Sequence, residues 1–171
     1  GRPSHIMDII DDFLDEKEFG ELQAFMMGNA LAWYYNNIID YDDDVDKYQF
    51  THMFYFTPAP CSPHFKEMIP ILNTIKPISL WRIKANLQIR TPNIIENAFH
   101  VDIGDASEEK LKQWTTSIFY INTNNGYTEF EDGTKVESVA NRMLTFPANL
   151  KHRGASCTDE KRRMVINFNY F

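Results

Sequence analysis

The sequence predicts a mainly β protein with flanking helices, a jelly roll or double-stranded β-helix, in which the N-terminal helices pack on the outer face of one sheet. Three observations predict it. From Ile83 to Arg90, apolar Ile83, Ala85, Leu87 and Ile89 alternate with Lys84, Asn86, Gln88 and Arg90, the period of a strand with one greasy and one polar face. Short strand candidates bounded by turn residues then recur to the C-terminus, at a spacing that suits a sandwich or barrel rather than a βαβ fold. Helical periodicity is confined to the N-terminal part.

Taken in order, Asp15 can cap a helix running to Tyr35, because Phe19, Leu22, Met26, Ala30 and Trp33 recur at steps of three and four behind an acidic first turn. Gln49 to Phe56 is dense in aromatics and reads as a strand, with Thr57 to Ser62 as a loop. Ser62-Pro63 supplies a cap and a first-turn proline for a second helix, His64 to Ile75. After the long strand from Ile78 to Arg90, further strands are expected at Ala98 to Asp102, Thr115 to Asn122, Tyr127 to Glu131, Lys135 to Val139, Arg142 to Phe146, Leu150 to Arg153 and Arg162 to Phe171. Asn124-Asn125-Gly126, Asp132-Gly133 and Pro147-Ala148-Asn149 mark the turns between them. A polar face on strands that look central implies a wet cavity in the mouth of the roll.

With 171 residues, 43% apolar and 14% aromatic, the chain suits one domain over 7–171, in which 7–77 support a jelly-roll core over 78–171. Gly1 to Ile6 reads as a cloning scar, so His5 is set aside. A net charge of −7 excludes general attraction to phosphate backbones or anionic lipid, and no nucleic-acid or membrane partner is expected. Acids crowd the N-terminal stretch and Asp40 to Asp46, whereas Arg142, Lys151, Arg153, Lys161, Arg162 and Arg163 make the last quarter basic, where a small anion would be drawn. Cys61 and Cys157 are too few for a disulfide framework and lack the spacing of a zinc site. With no apolar run of membrane-span length and no secretory signal, a cytoplasmic location is expected, the host cytoplasm for a viral protein.

The chemistry lies in His100-Val101-Asp102, His152 and the arginine pair Arg162-Arg163. Two positions apart on a strand, His100 and Asp102 leave the same face, and His152 can join them from a neighbouring strand. Three ligands on one face leave the opposite positions open, as a non-haem iron site requires. An arginine forks bidentately onto a carboxylate, and a buried counter-anion justifies taking its charge out of water. Arg163 shares a face with Val165, Asn167 and Asn169. Arg162 travels with Met164, Ile166, Phe168 and Tyr170, a set suited to the helix-covered side, so Arg163 is the arginine assigned to the cavity.

These residues, together with Tyr120-Ile121-Asn122, Gly126-Tyr127-Thr128-Glu129-Phe130 and Arg163-Met164-Val165-Ile166-Asn167, give the run from Ile83 to Phe171 its resemblance to the iron(II)- and 2-oxoglutarate-dependent dioxygenases. The similarity is to the prolyl-hydroxylase-like branch, with its small viral and bacterial members, and it covers about half the chain. It implies a cupin-like fold with iron held by His100, Asp102 and His152. It implies also that Arg163 pairs with the distal carboxylate of 2-oxoglutarate, that the Tyr120 hydroxyl donates to the same carboxylate, and that Thr116 and Asn167 line the pocket. O2 and 2-oxoglutarate would be consumed, with ascorbate in a supporting role, to hydroxylate a C–H bond of a peptidyl residue such as proline, or of a small metabolite.

Two departures fall where cosubstrate or substrate is handled. Arg90 stands where many members of the branch place a tyrosine, and Gly126-Tyr127 stands where they place paired glycines. Two other readings stay open: a jelly-roll binding module with a vestigial or zinc-occupied site, and an iron enzyme without a cosubstrate acid, which leaves Arg163 without a role.

Overall fold

A computed structural model describes residues 7–37, 39 and 47–171 of the chain. The expected cloning scar 1–6 and the acidic stretch 40–46 lie outside them. In chain order the elements are β1 (Asp8–Ile10), α1 (Glu16–Met27), β2 (Tyr34–Asn36), β3 (Gln49–Phe56), β4 (Ala59–Pro60), a 3-10 turn (Phe65–Met68) running into α2 (Ile69–Ile75), β5 (Leu80–Ile89), α3 (Glu108–Leu111), β6 (Thr115–Tyr120), β7 (Asn124–Phe130), β8 (Lys135–Ser138), β9 (Arg142–Pro147), β10 (His152–Gly154) and β11 (Arg162–Tyr170). An eight-stranded antiparallel sheet in the order β1-β9-β6-β11-β5-β3-β2, with β4 on β3, is accompanied by a three-stranded sheet β10-β7-β8. This is the jelly-roll architecture predicted above.

The period-two strands sort their side chains as expected. On the outer face of the large sheet, Ile83, Ala85 and Leu87 of β5 and Met164, Ile166 and Phe168 of β11 pack with Leu22 and Met26 of α1 and Met68 and Ile71 of the second helical segment. Each such side chain contributes roughly 1.5–3 kcal/mol through burial. Between the sheets lies a second core, where Ile118, Tyr120, Leu144, Phe146 and Val165 meet Phe130 and Val136 of the small sheet. The polar face of β5 opens beside it.

The Asp15 side chain caps α1 through the Glu18 amide at 2.7 Å. The helix is shorter than its periodicity suggests: it ends at Met27, and the chain turns through Gly28 to form β2 where the helix was expected to reach Tyr35. No basic side chain lies in its last turn, and Arg162 of β11 fills that role by donating to the Met27 carbonyl at 2.7 Å. Gln23 ties the helix to the sheet through the Ile121 carbonyl.

Asp132-Gly133 makes the expected hairpin turn, with Gly133 at φ 90° and the Thr134 amide on the Asp132 carboxylate. Asn124-Asn125-Gly126 is not a turn; it lies inside β7, whose pairing with β8 shifts register there. Ala98 to Asp102 is not a strand either: apart from a bridge between His100 and His152 it is irregular. The three strands β1, β2 and β4 and the short helix α3 were not anticipated. Four strands of the segment expected to serve as support, β1 to β4, belong to the large sheet itself.

Asn141 holds the N-terminal segment in place. At φ 66° it turns the chain from β8 into β9, while its side chain accepts from the Leu14 amide at 3.0 Å and donates to the Leu14 carbonyl at 2.9 Å. Asn141→Ala removes two buried hydrogen bonds and puts a methyl in the left-handed region, so a loss of about 2–4 kcal/mol is expected from urea unfolding. Asn141→Gly should recover the backbone share of that loss. Equal midpoints for Asn141→Ala and the parent would show that the clasp contributes nothing.

Candidate metal centre and anion pocket

A backbone bridge brings the two histidines together. The His100 amide donates to the His152 carbonyl at 2.9 Å and the His152 amide returns the bond at 3.0 Å, leaving the ring centroids 4.7 Å apart. The segment before His100 follows the same line, through the bridge from Glu96 to Ala155 and the bond from the Asn97 amide to Gly154. An irregular stretch thus borrows the pleat of β10, and its side chains face the cavity as a strand's would.

Both imidazoles point the same way. Nδ1 of His100 lies 3.1 Å from the Ala98 carbonyl, and Nδ1 of His152 lies 3.2 Å from that of Leu150. A carbonyl only accepts, so Nδ1 carries the proton and Nε2 presents a lone pair. The two Nε2 atoms lie 3.4 and 3.3 Å from Oδ1 of Asp102, and the ligand atoms of all three residues fall within 4.8 Å of one another. His152 Nε2 is buried and makes no hydrogen bond among the described residues. Phe146 packs edge-on against the His152 ring at 4.9 Å.

Lone pairs facing a carboxylate in a dry pocket repel unless a cation lies between them. Two nitrogens and an oxygen on one side of a point, with a cavity on the other, suit a divalent transition metal with open positions. Residues behind the carboxylate fix its direction. Oδ2 of Asp102 accepts from Asn169 Nδ2 at 3.1 Å, and the same nitrogen lies 3.1 Å from Thr116 Oγ1. Where the rings are protonated instead, they take the place of a cation: burial raises the Asp102 carboxyl, but the charge of His152, hydrogen bonds from both rings and the charge of Arg82 outweigh it and hold it well below the ordinary carboxylate range.

The cavity has a volume of about 250 Å³, with one wall formed by the polar faces of β5 and β11. Arg163 lies in it, 6% exposed, with Nε donating to Ser138 Oγ at 3.2 Å and Nη2 to the Tyr127 carbonyl at 3.3 Å. No carboxylate oxygen of the described residues comes within ion-pairing distance of it. Burial pulls its guanidinium below the usual range, with Tyr120 and Cys157 acting against the shift. A buried guanidinium bonded only to neutral oxygens is a site for an anion from outside. The adjacent Arg162 faces the helix side, as the strand alternation predicted.

Of the remaining sequence-predicted residues, Asn167 lines the cavity with its Oδ1 buried and without a partner among the described residues. Tyr120 is fully buried near Arg163, but its hydroxyl is bonded to Thr128 Oγ1 at 2.6 Å, and Thr128 rather than Tyr120 reaches the cavity. Thr116 does not line the cavity; it stands behind Asn169. Arg82 and Asn169, both beside Asp102, were not singled out. Their positions on the polar faces of β5 and β11 carried the signal, but which residue of a face meets Asp102 is a matter of register between strands, and Arg82 is opposite Asn169.

No family model matches the sequence, and no curated protein sequence does so either. Among solved structures the likeness is one of fold. The viral collagen prolyl hydroxylase of Paramecium bursaria Chlorella virus-1, in complex with 2-oxoglutarate, superposes with a TM-score of 0.55 at 16% identity, over 96% of this chain and 95% of that one. A Trichoplax adhaerens prolyl hydroxylase bound to a hypoxia-inducible-factor peptide gives 0.65 at 12% identity, over 98% and 84%. HygX of Streptomyces hygroscopicus, with nickel, 2-oxoglutarate and hygromycin B bound, gives 0.64 at 11% identity, over 96% and 82%. The chain has the jelly-roll fold of the 2-oxoglutarate and iron(II) oxygenases, prolyl hydroxylases among them.

Gly126 makes room for Arg163: a Cβ there would stand 2.6 Å from Arg163 Cδ and 2.8 Å from the Ala155 carbonyl oxygen, whereas one at Gly154 would meet nothing nearer than Arg163 Nη1 at 3.4 Å. Gly126→Ala should therefore cost about 1–3 kcal/mol in thermal or urea unfolding and displace the arginine, and Gly154→Ala under about 1 kcal/mol. Equal losses would mean that the close approach at Gly126 is relieved elsewhere.

Proposed function

We propose that this protein is a non-haem iron(II)- and 2-oxoglutarate-dependent dioxygenase that hydroxylates a C–H bond. One observation carries the reading: a convergent His100, Asp102 and His152 shares a cavity with Arg163, a buried guanidinium that no acidic side chain of the described residues neutralises. The first group asks for a divalent cation and the second for a carboxylate, and 2-oxoglutarate is a carboxylate that also chelates a metal. The shared fold supports the assignment.

In this reading the Nε2 lone pairs of His100 and His152 and Oδ1 of Asp102 hold the ion, leaving its cavity side open. Asn169 and Thr116 keep the carboxylate aimed, and the Ala98 and Leu150 carbonyls keep both rings in the ligating tautomer. Arg163 pairs with the distal carboxylate of 2-oxoglutarate, Thr128 and Asn167 line the cavity around it, and Tyr120 supports Thr128 from behind. Bound together, the ion and 2-oxoglutarate supply the oxygen chemistry: O2 is consumed, 2-oxoglutarate becomes succinate and carbon dioxide, and the second oxygen atom enters the substrate. No side chain need act as a separate acid or base.

A peptidyl residue such as proline is one substrate this class allows, and two prolyl hydroxylases share the fold. The structure of HygX with hygromycin B shows that the fold also accompanies a small molecule. Fold does not choose between them.

His100→Ala and Asp102→Ala should each abolish iron-dependent succinate formation, and turnover unaltered in either would end the proposal. Arg163→Ala should raise the 2-oxoglutarate requirement about tenfold to a hundredfold, the worth of a charge-assisted hydrogen-bond pair, and Arg162→Ala should change it little. Asn169→Ala should weaken metal binding by a similar factor, read by equilibrium dialysis.

A further inference from the structure

Arg82 is a second guanidinium in the same cavity, its side chain 16% exposed. It lies at the metal end of β5, opposite Asn169, whereas Arg163 is opposite Gln88 at the other end of the paired stretch. Its Nη2 stands 3.9 Å from Asp102 Oδ2, beyond hydrogen-bond length, and its Nε is buried with no acceptor among the described residues. Its guanidinium carbon sits 5.1 Å from the centre of the Trp81 ring, which fixes the plane of the fork. Desolvation pulls its pKa down and only Asp102 opposes this. A mostly buried fork with unused donors, beside Oδ2 of Asp102 and on the lining of the same cavity, is built to receive an oxyanion.

Cosubstrate does not account for it. Asp102 and the two carboxylates of 2-oxoglutarate are matched in charge by the divalent ion and Arg163, so Arg82, like Lys84 on the same wall, is surplus to that balance. Asn86 and Asn167, on the same wall, keep a buried amide oxygen each without a partner among the described residues. Apart from the two histidines, no aromatic side chain of the described residues lines the cavity for a prolyl ring to lie against. The wall offers one fork for an anion and amides for hydroxyl or amino groups.

Resting on the dioxygenase reading, we infer that the substrate is a small hydrophilic carboxylic acid, a hydroxy or amino acid, whose carboxylate is held by Arg82 so that a neighbouring C–H bond faces the metal. Arg82 is then a specificity-determining residue, and the cavity selects for an acid over a prolyl peptide.

The test is binding to protein loaded with manganese(II) and 2-oxoglutarate under nitrogen, read by melting temperature and isothermal titration. The probes are a panel of short-chain hydroxy and amino acids, each beside its primary amide, and a proline-rich peptide. At least one acid should raise the melting temperature where its amide does not. Arg82→Gln should weaken that acid about tenfold to a hundredfold, and Arg82→Lys should recover part of the loss. The inference is overturned if 2-oxoglutarate binds and no acid does, or if the amides or the peptide bind as well as the acids. It is overturned also if Arg82→Gln weakens 2-oxoglutarate as much as Arg163→Ala does, since Arg82 would then belong to the cosubstrate. A metal-loaded parent that ignores 2-oxoglutarate would overturn the dioxygenase reading and this inference together. The acid-to-amide comparison stands on the parent protein alone, should the glutamine variant not fold.

Discussion

Two backbone hydrogen bonds, exchanged between His100 and His152, set the geometry on which the rest depends. They cross from an irregular segment to a three-residue strand, so neither partner has a long ladder to hold it. What keeps the pairing in register is a row of further backbone contacts between residues 95–100 and 152–156, together with the ring stack of His152 against Phe146. Once the bridge forms, the carbonyls of Ala98 and Leu150 settle both tautomers, and Asp102 needs only to follow its own chain for two residues to meet both rings.

The large sheet has two faces of opposite character. Beneath the helices it is packed with aliphatic and aromatic side chains; toward the small sheet, part of it is amide, ammonium and guanidinium. Taking two arginines and an aspartate out of water is unfavourable in an empty protein, as the lowered guanidinium pKa values indicate. The helices and the outer core offset that cost. In the proposed function, binding energy for anions would thereby be stored in the folded cavity rather than assembled on arrival.

Much of this was legible in the chain. Alternation in Leu80–Ile89 and Arg162–Tyr170 gave both strand and facing, and that facing correctly sent Arg163 inward and Arg162 toward α1. The histidine and aspartate pattern is common by itself and could be read only because His152 and an arginine follow it in the same strand-rich region. Illegible features had non-local causes. Helical periodicity continued through Ala30 and Trp33, but the chain turns at Gly28 to supply β2, and Arg162, distant in sequence, finishes the helix. Edge strand β1 is three residues long and exists only because β9 is beside it. Ala98 to Asp102 has a strand's side-chain directions without a strand's ladder. Arg82, Asn169 and the true place of Thr116 depended on which residues of β5, β6 and β11 are opposite, a registry that no local pattern encodes.

Consecutive arginines at the start of β11 lie on opposite sides of one sheet: one finishes a helix, the other is the guanidinium proposed to take an anion. Sliding that strand by a single residue would exchange them, leaving a helix end without its cation and a pocket without its anchor. The connection over 155–161 is therefore less free to gain or lose residues than an ordinary surface loop. Among natural variants of this chain, length changes should collect in other loops, and those that do occur here should come with a compensating shift that restores the phase of the strand.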